Sequence, residues 1–118
     1  MNSKILGGQG ENCAAAYLRK KGYRILEQNY STRSGEIDII AENGETLVFV
    51  EVKTRSSLRY GTPAEAVNFR KRNKIIQTAS WYLRQRHMEY RPCRFDVIEI
   101  YATGGLWTVR QIEGAFEL

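Results

Sequence analysis

Residues 35–55 read Gly-Glu-Ile-Asp-Ile-Ile-Ala-Glu-Asn-Gly-Glu-Thr-Leu-Val-Phe-Val-Glu-Val-Lys-Thr-Arg. Two apolar runs rich in β-branched residues flank Asn43-Gly44, the signature of a β-hairpin closed by a tight turn. With Asn43 and Gly44 as the loop, Glu42 faces Glu45, Ala41 faces Thr46, Asp38 faces Phe49 and Glu36 faces Glu51. Side chains alternate along a strand. This register therefore gathers Glu36, Asp38, Glu51 and Lys53 on one face and sets Ile37, Ile39, Val48, Val50 and Val52 on the other.

Three carboxylates and one ammonium thus converge. Glu36 opposite Glu51 costs the hairpin a few tenths to about 1 kcal/mol unless something compensates. A divalent cation does so: Asp38 and Glu51 are diagonal neighbours, roughly 7–8 Å apart at the backbone, and Mg²⁺ or Mn²⁺ prefers such hard oxygen ligands. Leu47-Val48-Phe49-Val50 is apolar on both faces, as in a buried central strand, so the charges beginning at Glu51 sit where that strand leaves the core. The plainer reading is a set of weak ion pairs on a solvated sheet.

Asp38, twelve residues, then Glu51-Val52-Lys53 resembles the Asp…Glu-x-Lys motif of the restriction-endonuclease-like, or PD-(D/E)xK, nuclease superfamily. The resemblance implies that Asp38, Glu51 and the Val52 carbonyl hold the metal and that Lys53 positions or activates the attacking water. Gly10-Glu11, a short helix and Gly22-Tyr23 ahead of the hairpin are similar to the start of archaeal-type Holliday-junction resolvases, in which a helical glutamate joins the metal site. Glu11 is the matching residue. The closer resemblance of the two is to the YraN-like uncharacterised family, carried by these residues together with Ala14, Leu18, Asn29, Gly35 to Ala41, Val48 to Arg55 and Arg94-Phe95-Asp96-Val97.

Working outward, Glu11 to Lys21 is a helix by composition, closed by Gly22. Glu11 lies on the same stripe as Ala14, Ala15 and Leu18, pointing toward the sheet; the alternative is a first-turn acid suited to the helix dipole. Residues 1–10, with three glycines, read as a loose start. Tyr23 to Tyr30 is a first strand antiparallel to the hairpin, and Ser31 to Ser34 connects them. Thr62-Pro63-Ala64-Glu65 announces a helix. Arg70 to His87 repeats Ile75, Ile76, Ala79, Tyr82, Leu83 and Arg86 at helical spacing. Arg94 to Tyr101 and Leu106 to Ile112 form a second hairpin, with Asp96 and Glu99 on opposite faces and both expected at a solvated sheet edge. Ala115-Phe116 is expected to tuck onto the core.

The 118 residues carry a formal charge of +5 and form one α/β domain: a mixed five-stranded sheet flanked by helices, in the order helix, three strands, helix, two strands. Arg70, Lys71, Arg72 and Lys74 are the densest basic run and the candidate phosphate contacts. Arg33, Arg55, Arg59 and Tyr60 flank the pocket as further candidate phosphate contacts, their plainer reading being solvated surface, and Gln77 is a weaker site-facing candidate beside Glu36. His87 has no partner at zinc spacing, and one histidine gives no hydrolase triad. Cys13 and Cys93 read as free thiols of a cytoplasmic protein without a signal peptide or membrane span. The expected function is a metal-dependent nuclease, acting, by the resolvase resemblance, on DNA rather than RNA and on branched DNA as a homodimer. The second reading is a nucleic-acid-binding or scaffold protein that keeps the fold without turnover, and the third a purely structural interaction module.

Overall fold

The computed structural model describes residues 3–55, 69–103 and 106–116. Its elements run α1 (Ser3–Lys20), β1 (Arg24–Thr32), β2 (Gly35–Asn43), β3 (Thr46–Arg55), α2 (Phe69–Gln85), β4 (Cys93–Thr103) and β5 (Leu106–Phe116). The strands form one sheet in the order β1-β2-β3-β4-β5. Neighbours are antiparallel except β3 and β4, which are parallel. A parallel pair needs a long crossover, and α2 lies within it. The α/β architecture and element order are those expected.

Each helix covers one face of the sheet. Under α1, Ala14, Ala15 and Leu18 pack on Ile39, Ala41, Val48, Val50, Ile98 and Ile100. Under α2, Ile75, Ala79 and Tyr82 pack on Ile37, Ile40, Phe49, Phe95, Val97 and Phe116. Stacked Phe95 and Phe116 rings, 5.0 Å apart at their centroids, hold the end of β5, so Phe116 reaches the core as strand rather than as a tail.

The helix begins at Ser3, not at Glu11. Glycine weakens a helix interior, but Gly10 is buried against β3. A Cβ there meets the Thr54 side chain, at 3.1 Å from Thr54 Cβ and 3.3 Å from Cγ2. Gly10→Ala should therefore destabilise the protein by about 1–3 kcal/mol through overpacking, despite alanine's better helix propensity. Thermal unfolding checks this; a Gly10→Ala variant as stable as the parent would contradict the close approach.

The hairpin register differs from expectation by two residues. Asn43 pairs with Thr46, Glu42 with Leu47, Ala41 with Val48 and Ile39 with Val50. The loop is Gly44-Glu45, because Gly44 (φ 62°) takes the left-handed first loop position while Asn43 stays in the strand. A two-residue slip preserves which side chains share a face, but it sets Asp38 level with Glu51 rather than diagonal to it. A second difference is local to β2. Ile37 packs under α2 and Ile39 under α1, although residues two apart in a regular strand share a face. Alternation breaks at Asp38, and Ile37 leaves the apolar set of Ile39, Val48, Val50 and Val52.

Candidate functional site

Paired register between β2 and β3 ends at Ile39 and Val50. Beyond it, the Asp38 side chain replaces a backbone partner: the Val52 N–H donates to Asp38 Oδ2 at 2.7 Å. Across β1, the register brackets Asn29 against Asp38, between Gln28–Ile39 and Tyr30–Ile37. Asn29 is left-handed (φ 54°), a conformation that asparagine tolerates better than most residues. The two irregularities lie side by side, and the Asp38 and Asn29 side chains both act on the Glu11 carboxyl of α1.

Glu51 and Lys53 project toward α2 instead. Glu51 Oε1 takes Lys53 Nζ at 3.2 Å and Lys71 Nζ at 2.6 Å. Glu51 is almost wholly buried and Lys71 is partly open to solvent. The four residues expected on one face therefore straddle the parting between β2 and β3, Asp38 on the α1 side and Glu51 with Lys53 on the α2 side. They still meet electrostatically. Burial, then the Glu51 carboxylate and to a lesser degree that of Glu11, pushes Asp38 up to about 8, against the Val52 N–H bond that pulls it down. Glu11 is raised chiefly by its own burial. Burial lowers Lys53, reinforced by the adjacent Lys71 and opposed by Glu51, while for Lys71 burial is the largest single cause and pulls down, but Glu51, Lys53 and Asp38 together outweigh it and the net direction is upward.

This donor set suits a hard cation. Magnesium is held by one or two carboxylates, with waters and substrate phosphate completing its shell, and the crowding that raises Asp38 is what a nearby cation relieves. Among the described residues no three histidine, cysteine or carboxylate side chains stand ready around one point. Asp38 and Glu51 are the pair, and Glu11 meets Asp38 and Asn29.

The other expected site residues divide into groups. Glu36 lines a cleft of about 330 Å³ with Gly35, Arg70, Lys71, Lys74 and Ile75. Lys71, expected as a phosphate contact, is the ion partner of Glu51. Arg72 sits over the Phe116 ring, its guanidinium 5.6 Å from the centroid, away from that cleft. Arg33 is exposed on the β1–β2 turn, and Gln77 is exposed on α2. Arg59, Tyr60, the helix start at Thr62-Pro63-Ala64-Glu65 and the Arg55 side chain lie outside the described residues.

Asp96 and Glu99 are not at a solvated edge. β4 lies between β3 and β5, and both side chains are fully buried. Asp96 is held by Arg94 through Nε and Nη2, both at 2.9 Å, by Gln111 at 2.8 Å and by the Gly114 N–H at 3.0 Å. Arg94 and Gln111 also bond the Tyr23 hydroxyl, and Lys21 bonds Gln111, tying the end of α1 to β4 and β5. Glu99 is the register neighbour of Lys53. Its Oε2 accepts the Tyr101 hydroxyl at 2.8 Å, and its buried Oε1 has no hydrogen-bond partner among the described residues.

Asn29 as a site residue, and Lys71 as the partner of Glu51 rather than of phosphate, are the contacts that sequence reasoning did not assign. An asparagine within an otherwise strand-like run was the available signal for the first; for the second, helical spacing alone does not say which lysine of a basic run faces inward. Cys13 and Cys93 are free thiols, both raised by burial. No helix among the described residues is long and apolar enough to cross a membrane.

The chain is 50% identical over 101 residues to a UPF0102 protein of Clostridioides difficile, covering 86% of this chain and 89% of that one. It is 49% identical over 115 residues to one from Symbiobacterium thermophilum, covering 97% and 98%, and 46% identical over 118 residues to one from Persephonella marina, covering 100% and 98%. The family profile matches residues 10–100, a span that takes in Glu11, Asn29, Asp38, Glu51, Lys53 and Lys71. The chain belongs to the uncharacterised protein family UPF0102.

Proposed function

We propose that this protein is a metal-dependent nuclease of the restriction-endonuclease-like superfamily, hydrolysing phosphodiesters in DNA. The observation that carries the reading is the parting of β2 and β3 at Asp38, where the half-buried Asp38, the buried Glu51 and the half-buried Lys53 meet beside a basic cleft. Asp38 and Glu51, with the Val52 carbonyl, would hold Mg²⁺ or Mn²⁺, and Glu11 fixes Asp38 from the α1 side. When bound, the ion supplies Lewis-acid polarisation of the phosphate and a lowered pKa for the attacking water. Lys53, depressed by burial, orients that water or takes its proton. Arg70 and Lys74 draw the backbone phosphates to the site. Branched DNA and a two-fold dimer, whose symmetry matches two cuts, are the finer form of the same proposal.

One observation favours the non-catalytic alternative, a nucleic-acid-binding or scaffold protein. Lys53 and Lys71 already neutralise Glu51 from within the chain. Cleavage of labelled four-way junction, flap, duplex and single-stranded DNA in Mg²⁺ or Mn²⁺ separates the two readings. The expected result is metal-dependent cutting that Asp38→Asn reduces at least about a hundredfold, while the near-isosteric amide still accepts the Val52 N–H and the variant unfolds no earlier than the parent. DNA binding with no cutting by the parent would select the scaffold reading, and equal cutting by the variant would remove Asp38 from the site.

A further inference from the structure

On the far side of the β1–β2 turn from the basic cleft lies a second, larger cleft, about 500 Å³, lined by Tyr30, Ser31, Thr32, Arg33, Ser34 and Trp81. The turn divides the two: Gly35 and Glu36 line one cleft and residues 30–34 the other, with Gly35 lying against Lys74 and Thr78 of α2. Along α2, Arg70, Lys74, Gln77 and Trp81 are spaced by four, three and four residues, a single stripe on one helix face. Lys74 to Trp81 spans about 10 Å of helix axis. This stripe therefore leads from Lys71 and its ion partner Glu51 past two basic side chains to an aromatic wall.

The second cleft has the chemistry of a nucleobase site. Trp81 is 45% exposed although it is among the largest apolar side chains of the chain. Opposite, the Tyr30 ring is fixed edge-on to Tyr82, 5.1 Å between centroids. Arg84 stands 5.8 Å from the Trp81 centroid, so that ring is flanked by positive charge, while Arg86, 5.8 Å from the Tyr30 centroid, is ion-paired to Glu27 at 3.2 Å. Ser31, Thr32 and Ser34 offer hydroxyls that both donate and accept, as the edges of any base require. A base inside a duplex is stacked on its neighbours and cannot present its face to a tryptophan, whereas an unpaired base can.

We infer that the Tyr30–Trp81 cleft is a binding subsite for an unpaired base, a few nucleotides along the strand from the phosphate at the candidate metal site. This inference rests on the nuclease reading for the strand's path, and it deepens that reading by naming the substrate feature selected: single-stranded character beside the cut. The same stacking serves a gap, a flap or an open junction, since what is recognised is the free base face.

Fluorescence anisotropy in EDTA, where no turnover occurs, tests it. The probes are a labelled oligothymidylate of about twelve nucleotides, within the range that single-strand sites occupy, a blunt duplex, and the same duplex with a short single-stranded gap. The parent should prefer the oligothymidylate and gapped probes over the blunt duplex. Trp81→Ala should weaken those two about tenfold, the scale of one lost base–aromatic stack, and leave the blunt duplex within about twofold; Trp81→Phe should retain most of the affinity. Lys74→Ala should instead weaken all three alike and lower the salt slope by about one. In a Trp107→Phe background, Trp81 emission should be quenched by oligothymidylate. Equal loss on all probes with Trp81→Ala, no loss, or a parent preference for blunt duplex would overturn the subsite. The outcomes are separable from cleavage: base-selective binding without metal-dependent cutting would sink the nuclease and keep the subsite, and cutting indifferent to Trp81 would do the reverse.

Discussion

A Glu51→Ala variant should lose both activity and stability, the first at least about a hundredfold and the second by about 3 kcal/mol. Two buried or half-buried ammoniums share one oxygen of Glu51. Removing that oxygen leaves them facing each other, and breaking a buried pair from one side is costly because the remaining charge stays desolvated. The cost falls at the low end of that range because Lys71 can turn to water, whereas Lys53 is far less open to solvent. Denaturant unfolding of Glu51→Ala and of the double variant Glu51→Ala/Lys53→Met separates the contributions: the second substitution should restore stability without restoring cleavage. A single variant as stable as the parent would show that Glu51 does not hold the lysines. Asp38→Asn is expected to lose activity without this penalty, because it relieves a crowding of carboxylates instead of uncovering cations.

The second large effect lies on β4, where Asp96 is the register partner of Val50, next to Glu51. Asp96→Ala should cost about 4 kcal/mol and leave metal binding intact in whatever fraction remains folded. Four donors from Arg94, Gln111 and Gly114 converge on a carboxylate with no solvent access. An arginine guanidinium stays charged at neutral pH without help, so Arg94 is left in the variant with no carboxylate to meet it except Glu113 at 3.8 Å. A midpoint shift in urea with unchanged slope is the measurement. A loss under about 1 kcal/mol would mean that water replaces the carboxylate, contrary to its burial.

These two residues mark what sequence reading reached and where it stopped. The hairpin itself was legible from Asn43-Gly44 and the apolar runs beside it, and the two-residue slip at Gly44 left the parity of the pairing unaltered. The local reversal at Asp38 was not legible: it is imposed by a side chain taking a ladder N–H, matched by left-handed Asn29 on the neighbouring strand, and neither leaves a periodic trace. α2 was read from its apolar stripe, but the inward turn of Lys71 depends on where the crossover sets the helix. The burial of Asp96 and Glu99 was missed for a related reason. The second hairpin was recognised, yet its first strand docks parallel to β3, a pairing some 46 residues away in sequence, and so becomes internal. Gly10 read as part of a loose start because its glycine serves a contact with Thr54 that only the folded chain makes.

The irregularity of β1 has a consequence beyond the site. β1 is an outer strand, and an outer strand's unpaired N–H and C=O groups are a template on which another chain can add a strand and begin to aggregate. Here the row is interrupted twice, by the bulge between Ile25 and Glu27 and by left-handed Asn29, and it is dotted with the charges of Arg24 and Glu27. The kink that delivers the Asn29 amide to Glu11 thus also blunts the edge, so a substitution that straightened β1 would disorganise the carboxylates and expose a sticky border in the same stroke.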